Sequence, residues 1–171
     1  VLVPLGQGIG RWGNFFNQEA HGGVIGGVTN GRANLSLDAQ REFLSQTLRI
    51  PSFIVDNMYL RGDNGLNYYH PTFLYESLWN LLGVAIILVL RRTKFVRSGD
   101  MLGFYLIWYS VGRFFIEFMR TDALFIGNTG LRTAQVVSLL MIVGGATFIA
   151  LNHTVIKRKH YTKILEENSV Q

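Results

Sequence analysis

Apolar positions fall into three long runs separated by polar and glycine-rich stretches. Residues 74–90 are apolar apart from Tyr75, Glu76, Ser77 and Asn80 near the start, with Pro71 just ahead of the first turn. Residues 101–122, MLGFYLIWYSVGRFFIEFMRTD, are apolar but carry Arg113, Glu117 and Arg120, and residues 134–151 make a clean third run. A helix needs about 20 apolar residues to cross a bilayer, so the pattern predicts transmembrane helices over about 72–91, 100–120 and 133–152. Ahead of them, residues 1–19 open with an apolar segment too short for a full span and interrupted by Pro4, Gly6, Gly8, Gly10 and Gly13. This predicts the exit end of a membrane helix with a broken backbone, which is tolerated at membrane depth only inside protein or beside a wet cavity.

Hydropathy drops over residues 20–70, which predicts a folded extramembrane excursion of mixed α/β character. Its start is turn-rich, with Gly22, Gly23, Gly26, Gly27 and Gly31, and Phe43, Leu44 and Leu48 then recur at helical spacing. After Pro51, residues 52–60 and 66–69 flank Arg61-Gly62-Asp63-Asn64-Gly65, and Asn-Gly is a hairpin turn signal. The expected fold is an all-α integral membrane protein, a polytopic helix bundle carrying this small extracytoplasmic excursion. The four-part organisation is a broken membrane segment (1–19), the excursion (20–70), three transmembrane helices (71–151) and a polar tail (152–171).

Basic residues set the orientation. Arg91, Arg92, Lys94 and Arg97 lie between the first two long runs, and Lys157, Arg158 and Lys159 follow the last, so both places are expected on the cytoplasmic side. The C-terminus is then cytoplasmic, and the excursion and residues 122–133 are outside.

Composition narrows the classes. Mean hydropathy is +0.23 and the net charge is +5, and a basic excess in cytoplasmic loops needs no nucleic acid to explain it. Absence of cysteine excludes disulfides, thiolate metal sites and a cysteine nucleophile supplied by this chain, and no metal-ligand spacing is present. Because the chain opens on Val1 inside an apolar glycine-rich segment, it is expected to be the C-terminal part of a longer protein.

Charges at membrane depth cost several kcal/mol each unless paired or facing a wet cavity, which makes the 101–122 run the first place to look for a site. At roughly 100° per residue, Tyr109, Arg113, Glu117 and Arg120 fall within about 80° of one another on a helix. The plain alternative is an i, i+4 ion pair between Arg113 and Glu117 that holds helices together. A second arginine argues beyond it, since Glu117 neutralises one guanidinium and net positive charge remains. Arg11, Asn14, Asn17 and Glu19, then His70, Tyr75 and Glu76, are expected at the same outer boundary. Sequence-distant polar groups at one depth are the expected signature of a site between helices. Arginines bind phosphate bidentately and stay charged, and Trp12, Phe15, Phe16, Tyr105, Trp108 and Tyr109 suit a lipid, although aromatics also belt membrane interfaces without binding anything. The inferred ligand is a phospholipid.

Three blocks then carry a resemblance. Residues 10–22, GRWGNFFNQEAHG, are similar to the signature of the bacterial prolipoprotein diacylglyceryl transferases; residues 70–76, HPTFLYE, resemble their second block; and Tyr109 through Arg113 to Glu117, Arg120 and Asp122 resemble the third. Ala134-Gln135 stands where the family commonly has Gly-Gln, and Phe73 where Gln is common. The resemblance implies transfer of diacylglycerol from phosphatidylglycerol to the lipobox cysteine thiol of prolipoproteins in the bacterial cell membrane. Its site would face the outer side, its partners would be phosphatidylglycerol, prolipoprotein signal peptides and the bilayer, and no cofactor or metal is implied. By motif position, Arg11, Asn14, Glu19 and Gly22 match the signature's functional positions and Tyr109 and Arg113 those of the third block; with these, the catalytic candidates are Arg113, Arg11, Tyr109 and His70, and the phosphatidylglycerol-binding ones Arg11, Asn14, Glu19, Gly22, Glu117 and Arg120. The family's histidine base is expected outside this chain, with His70 or His21 as the groups within it that could serve. The rival classes are an anion transporter lined by Arg113, Glu117 and Arg120, and a phospholipid-binding scaffold without chemistry.

Overall fold

The computed structural model describes residues 2–62, 65–120, 124–127, 129–156, 158 and 160. It is mostly helical: α1 (Leu2–Phe16), β1 (Val28–Thr29), β2 (Arg32–Ala33), α2 (Leu37–Glu42), α3 (Ser52–Asn57), β3 (Tyr59–Gly62), β4 (Gly65–Tyr68), α4 (Thr72–Leu90), α5 (Asp100–Glu117) and α6 (Thr133–Leu151). π-helical turns extend α2 over Phe43–Thr47 and α6 over Asn152–Ile156. The chain divides into two compact units. One comprises Val1–Gly10, Glu76–Phe118 and Ala123–Gln171, and the other Arg11–Tyr75 and Met119–Asp122.

Two helices are long and apolar enough to cross a membrane, Thr72–Leu90 with mean hydropathy 1.9 and Thr133–Ile156 with 2.1. The long helices occupy the expected positions, but α5 stops at Glu117 rather than at 120 and carries Asp100, Arg113 and Glu117. The predicted break in residues 1–19 is absent, because α1 runs uninterrupted from Leu2 to Phe16.

In the first unit, α5 and α6 lie antiparallel through small residues. A Cβ on Gly145 would sit 2.8 Å from the Gly103 carbonyl oxygen, and one on Gly103 would sit 2.6 Å from Ile149 Cγ1. Such small-residue contacts let backbones approach where lipid supplies no hydrophobic drive. The pair is closed at one end by buried Asp100, which accepts from the Arg97 amide (2.8 Å) and Asn152 Nδ2 (2.6 Å) and lies 2.7 Å from His153 Nε2.

Helices α4 and α5 are joined by a reciprocal tryptophan clasp. Trp79 and Trp108 stack at 4.2 Å and 11°, and each indole N–H donates to the other's backbone carbonyl at 2.9 Å. A helix carbonyl at residue i lies beside residue i+4, so an indole reaching it needs no side chain there. Those positions are Gly83 and Gly112, where an added Cβ would be driven into Trp108 and Trp79 respectively.

The second unit has its own apolar core, built on Val24, Ile25, Leu44, Ile54, Val55, Leu60, Tyr69 and Phe73. The predicted hairpin forms as β3–β4, with Tyr59 opposite Tyr68 and Gly62 opposite Gly65. It is shorter than expected, because Ser52–Asn57 after Pro51 is helix α3. Asp63 and Asn64 of the turn signal lie outside the described residues. Gly65 has φ +84°, the left-handed geometry that such turns require. Leu44 is fully buried while Leu48, expected on the same face, is exposed, since the π turn over Phe43–Thr47 inserts a residue and rotates the chain beyond it.

Gln40, also fully buried, ties α2 to the hairpin: Nε2 donates to the Leu35 carbonyl (3.0 Å) and Asn67 Oδ1 (3.1 Å), while Oε1 accepts from the Tyr68 amide (2.8 Å). Gln40→Leu keeps the volume but strands these partners, so it is expected to destabilise the protein by about 2 kcal/mol in denaturant titration. A change below about 0.5 kcal/mol would show that water replaces the amide.

Candidate functional site

In the first unit the ionisable groups gather on Arg113. Nη2 is 3.0 Å from Glu117 Oε2, one turn along α5, and Nη1 is 3.5 Å from Glu76 Oε1 on α4. Both carboxylates are nearly inaccessible, while the arginine side chain keeps 23% of its exposure. The expected surplus of positive charge is therefore not found among these three groups, since two carboxylates flank one guanidinium. Glu76, which the motif placed nearby without a role, is the partner that spacing along α5 had no means to disclose.

Arg132 was not anticipated as a site residue at all. Its Nη1 donates to the Glu117 carbonyl, and its guanidinium lies 5.8 Å from the Phe118 ring centroid and 6.0 Å from that of Phe125. Tyr109, one turn before Arg113, has its ring 6.0 Å from Tyr105, whose hydroxyl donates to Gln7 Oε1 at 3.1 Å.

The second unit joins pieces of all three sequence blocks through backbone bonds at Gly22 and Gly23. The Gly22 amide donates to the His70 carbonyl (2.8 Å), the His70 amide to the Gly23 carbonyl (3.0 Å), and the Gly23 amide to the Met119 carbonyl (2.9 Å). Gly22 and Arg120 pair as an antiparallel bridge. Arg120 is thus not on the helical face with Arg113 and Glu117, a correction to the sequence reading. The backbone leaves the helix after Phe118 to pair with the glycines. Gly22 must lack a side chain here, since a Cβ would lie 2.7 Å from His70 Cβ and 3.1 Å from the Met119 carbonyl oxygen. Asp122 lies outside the described residues.

Asn14, Glu19 and His21 line one small crevice of about 10 Å³, room for a single water, with Gln18, Asn57, Met58 and Phe73. Glu19 is held between two residues in the left-handed region, Gln18 (φ 56°) and Ala20 (φ 52°), and its amide donates to the Asn14 carbonyl at 2.9 Å. Such strain persists where surrounding structure enforces it, commonly at binding sites. Arg11 is half-buried on α1. Phe73, the departure from the family's usual Gln, stacks on Phe15 at 4.7 Å in the core.

The two histidines differ. His21 Nδ1 is 3.0 Å from the Gly22 carbonyl, which only accepts, so the neutral ring carries its proton there and holds its lone pair on Nε2. His70 Nδ1 faces the Tyr75 hydroxyl at 3.2 Å. Burial pushes the His70 imidazole below its ordinary value of roughly 6.5. A lowered value means that the folded state resists protonation. Its contribution to stability is then complete above about pH 6.5 and is lost as pH falls below it. Thermal unfolding at about pH 8 and about pH 5.5 is expected to show part of this loss vanish in His70→Asn.

Among the described residues, no group of three or more His, Asp or Glu is placed to hold a metal ion. The first unit thus presents one guanidinium against two buried carboxylates, and the second unit, by itself, two imidazoles.

The family model for prolipoprotein diacylglyceryl transferase matches residues 1–151. The chain is 53% identical over 142 residues to the phosphatidylglycerol–prolipoprotein diacylglyceryl transferase of Halalkalibacterium halodurans, covering 83% of this chain and 42% of that protein. It is 46% identical over 167 residues to the Staphylococcus xylosus protein of that name, covering 96% and 52%. With the Geobacillus kaustophilus protein it shares 52% over 141 residues, covering 82% and 44%. The chain spans about half the length of these curated relatives. The match takes in the arginine signature, the His70 block and the Arg113 helix alike, and the chain belongs to the prolipoprotein diacylglyceryl transferase family.

Proposed function

We propose that the protein transfers the diacylglyceryl group of phosphatidylglycerol to the lipobox cysteine of prolipoproteins, the first step of bacterial lipoprotein maturation. The observation that carries this reading is Arg113, a guanidinium held between Glu76 and Glu117 in a chain of this family. The substrate thiol gives up its proton and the thiolate attacks the glyceryl carbon bearing the phosphate. A carbon–sulfur bond forms, the carbon–oxygen bond breaks, and its electron pair leaves on glycerol phosphate.

Arg113 holds the phosphate and stabilises the charge that grows on it, and the buried carboxylates fix the guanidinium plane. Arg11, Asn14, Glu19 and Gly22 are assigned to the headgroup by motif position, with Arg120 alongside them, and Tyr109 to the α5 face that bears Arg113. His70, kept neutral by burial, or His21, with its lone pair on Nε2, accepts the thiol proton.

The same reading makes α4, α5 and α6 transmembrane helices of a polytopic bundle in the bacterial cell membrane. Residues 91–97 and the C-terminus would be cytoplasmic, and residues 20–70 extracytoplasmic, near an outward-facing site that meets signal peptides. The basic residues Arg91, Arg92, Lys94 and Arg97 support that orientation. Lys157, Lys159 and residues 161–171 of the predicted tail lie outside the described residues.

The test places the full-length protein in nanodiscs with phosphatidylglycerol and a synthetic lipobox peptide and reads the peptide mass. A diacylglyceryl increase that requires the lipid is expected. No increase while the lipid demonstrably binds would reject the transferase in favour of a binding scaffold or transporter.

A further inference from the structure

In the second unit, the two edges of the β3–β4 hairpin differ. Opposed residues of an antiparallel pair alternate between those that exchange N–H and C=O bonds with each other and those whose backbone groups point outward. The Tyr68 amide donates to Gln40 Oε1 at 2.8 Å and the Tyr68 carbonyl accepts from the Ile25 amide at 2.9 Å, so both point away from β3. Tyr59, opposite Tyr68, must then turn its own N–H and C=O away from β4. Arg61, two residues on, does the same, whereas Leu60 and Gly62 face β4. Gln40 and Ile25 thus close the β4 edge. At the β3 edge, no hydrogen bond to the outward backbone groups of Tyr59 and Arg61 is found among the described residues, and both residues are exposed.

An open edge is a template for a further strand, and proteins commonly blunt one with proline, a bulge or an inward-pointing charge. Residues 59–62 pair in unbroken register, hold no proline and carry their charge, Arg61, exposed. The groups on offer alternate donor and acceptor along the strand, and an extended polypeptide is the ligand whose backbone returns that alternation. The edge also begins beside candidate headgroup residues. Met58, just before Tyr59, and Leu60, just after it, line the crevice with Asn14, Glu19 and His21. On the exposed face Tyr59 lies against Tyr68, rings 5.1 Å apart, an aromatic surface for the side chains of an added strand.

We propose that the outer edge of β3 receives the prolipoprotein as an added strand, through the extended segment that follows the lipobox cysteine. This rests on the transferase reading and adds a polypeptide subsite to it. The signal sequence ahead of the cysteine is apolar and satisfies its backbone as a helix in the membrane, whereas the segment beyond emerges with N–H and C=O groups to pair. Main-chain bonds give affinity without reading side chains, so one edge serves preproteins of different sequence.

The test uses full-length protein in nanodiscs with phosphatidylglycerol and synthetic lipobox peptides, each N-methylated at a single residue, taking successive residues after the cysteine. An N-methyl group removes a donor and blocks strand pairing only where that N–H faces the edge. The KM for the peptide is expected to rise about tenfold at alternate positions and to stay unchanged at those between, with kcat preserved. Arg61→Pro removes an outward N–H at an edge that tolerates proline, and is expected to raise the peptide KM by about the same factor while the KM for phosphatidylglycerol stays as it was. If that variant folds poorly, the peptide series on wild type decides alone. Equal KM across the series, or a rise without the alternation, would overturn the proposal. So would a changed oligomeric state of Arg61→Pro with an unchanged peptide KM, which would make the edge a contact between copies. Absence of product from the unmethylated peptide would sink the transferase reading instead, and fluorescence anisotropy of the same peptides, with the same alternation expected, then tests the edge on binding alone.

Discussion

Arg113→Lys is expected to lower diacylglyceryl transfer by about 100- to 1,000-fold, the range seen when one preorganised donor to a developing charge is removed. Arginine occupies both carboxylates at once, with separate nitrogens directed at Glu76 and Glu117. An ammonium on a flexible stem concentrates its charge at one point and lacks the planar fork, so it cannot hold two carboxylates and a phosphate in one plane. The loss should fall in kcat rather than in KM alone, because the contact strengthens as charge moves onto the leaving phosphate. Some loss of stability will accompany it, since Arg113 lies against two nearly inaccessible carboxylates. Melting temperature and lipopeptide mass measured on the same preparation separate the two effects. Full activity in Arg113→Lys would show that charge alone suffices and that the bidentate role is wrong.

Gly112→Ala should be the second severe substitution, lowering stability by about 2 to 3 kcal/mol and activity with it. Alanine is normally the better helix residue by about 1 kcal/mol, so a propensity argument predicts stabilisation. Packing overrules it, because the methyl would be driven into the Trp79 indole. That ring has little freedom to yield, bonded as it is to the Trp108 carbonyl and stacked on Trp108 at 4.2 Å. Gly112 immediately precedes Arg113, and Glu76 lies three residues before Trp79, so forcing the clasp apart also pulls at the Glu76–Arg113 contact. Gly83→Ala tests the mirrored half of the clasp further from the charged groups, and is expected to cost stability with a smaller effect on turnover. An alanine variant at Gly112 as stable as wild type would mean that the indoles slide freely and that the clasp does not set the register of α4 against α5.

Hydropathy and spacing alone settled whatever depends on neighbours within a turn or on the run of apolar residues. The ranges of α4, α5 and α6 came from hydropathy, and the Arg113–Glu117 pair from i, i+4 spacing. The Asn-Gly signal located the hairpin, and the blocks around Arg11, His70 and Arg113 pointed to the family. Packing settled the rest. Helical periodicity carried Arg120 onto the face of Arg113, but the backbone leaves α5 after Phe118 because the Met119 carbonyl is taken by the Gly23 amide. Glycines and Pro4 implied a broken first segment, yet α1 runs without a break from Leu2 to Phe16. Glu76 became a partner of Arg113, and Arg132 of the Glu117 carbonyl, only through helix packing, and Gly22, Gly83 and Gly112 were marked as irreplaceable only by the atoms that lie opposite them. Short-range order is written in spacing, which a sequence displays directly; the partner across a helix interface is chosen by which side chains fit and which charges must be compensated, and that emerges only once the helices are packed.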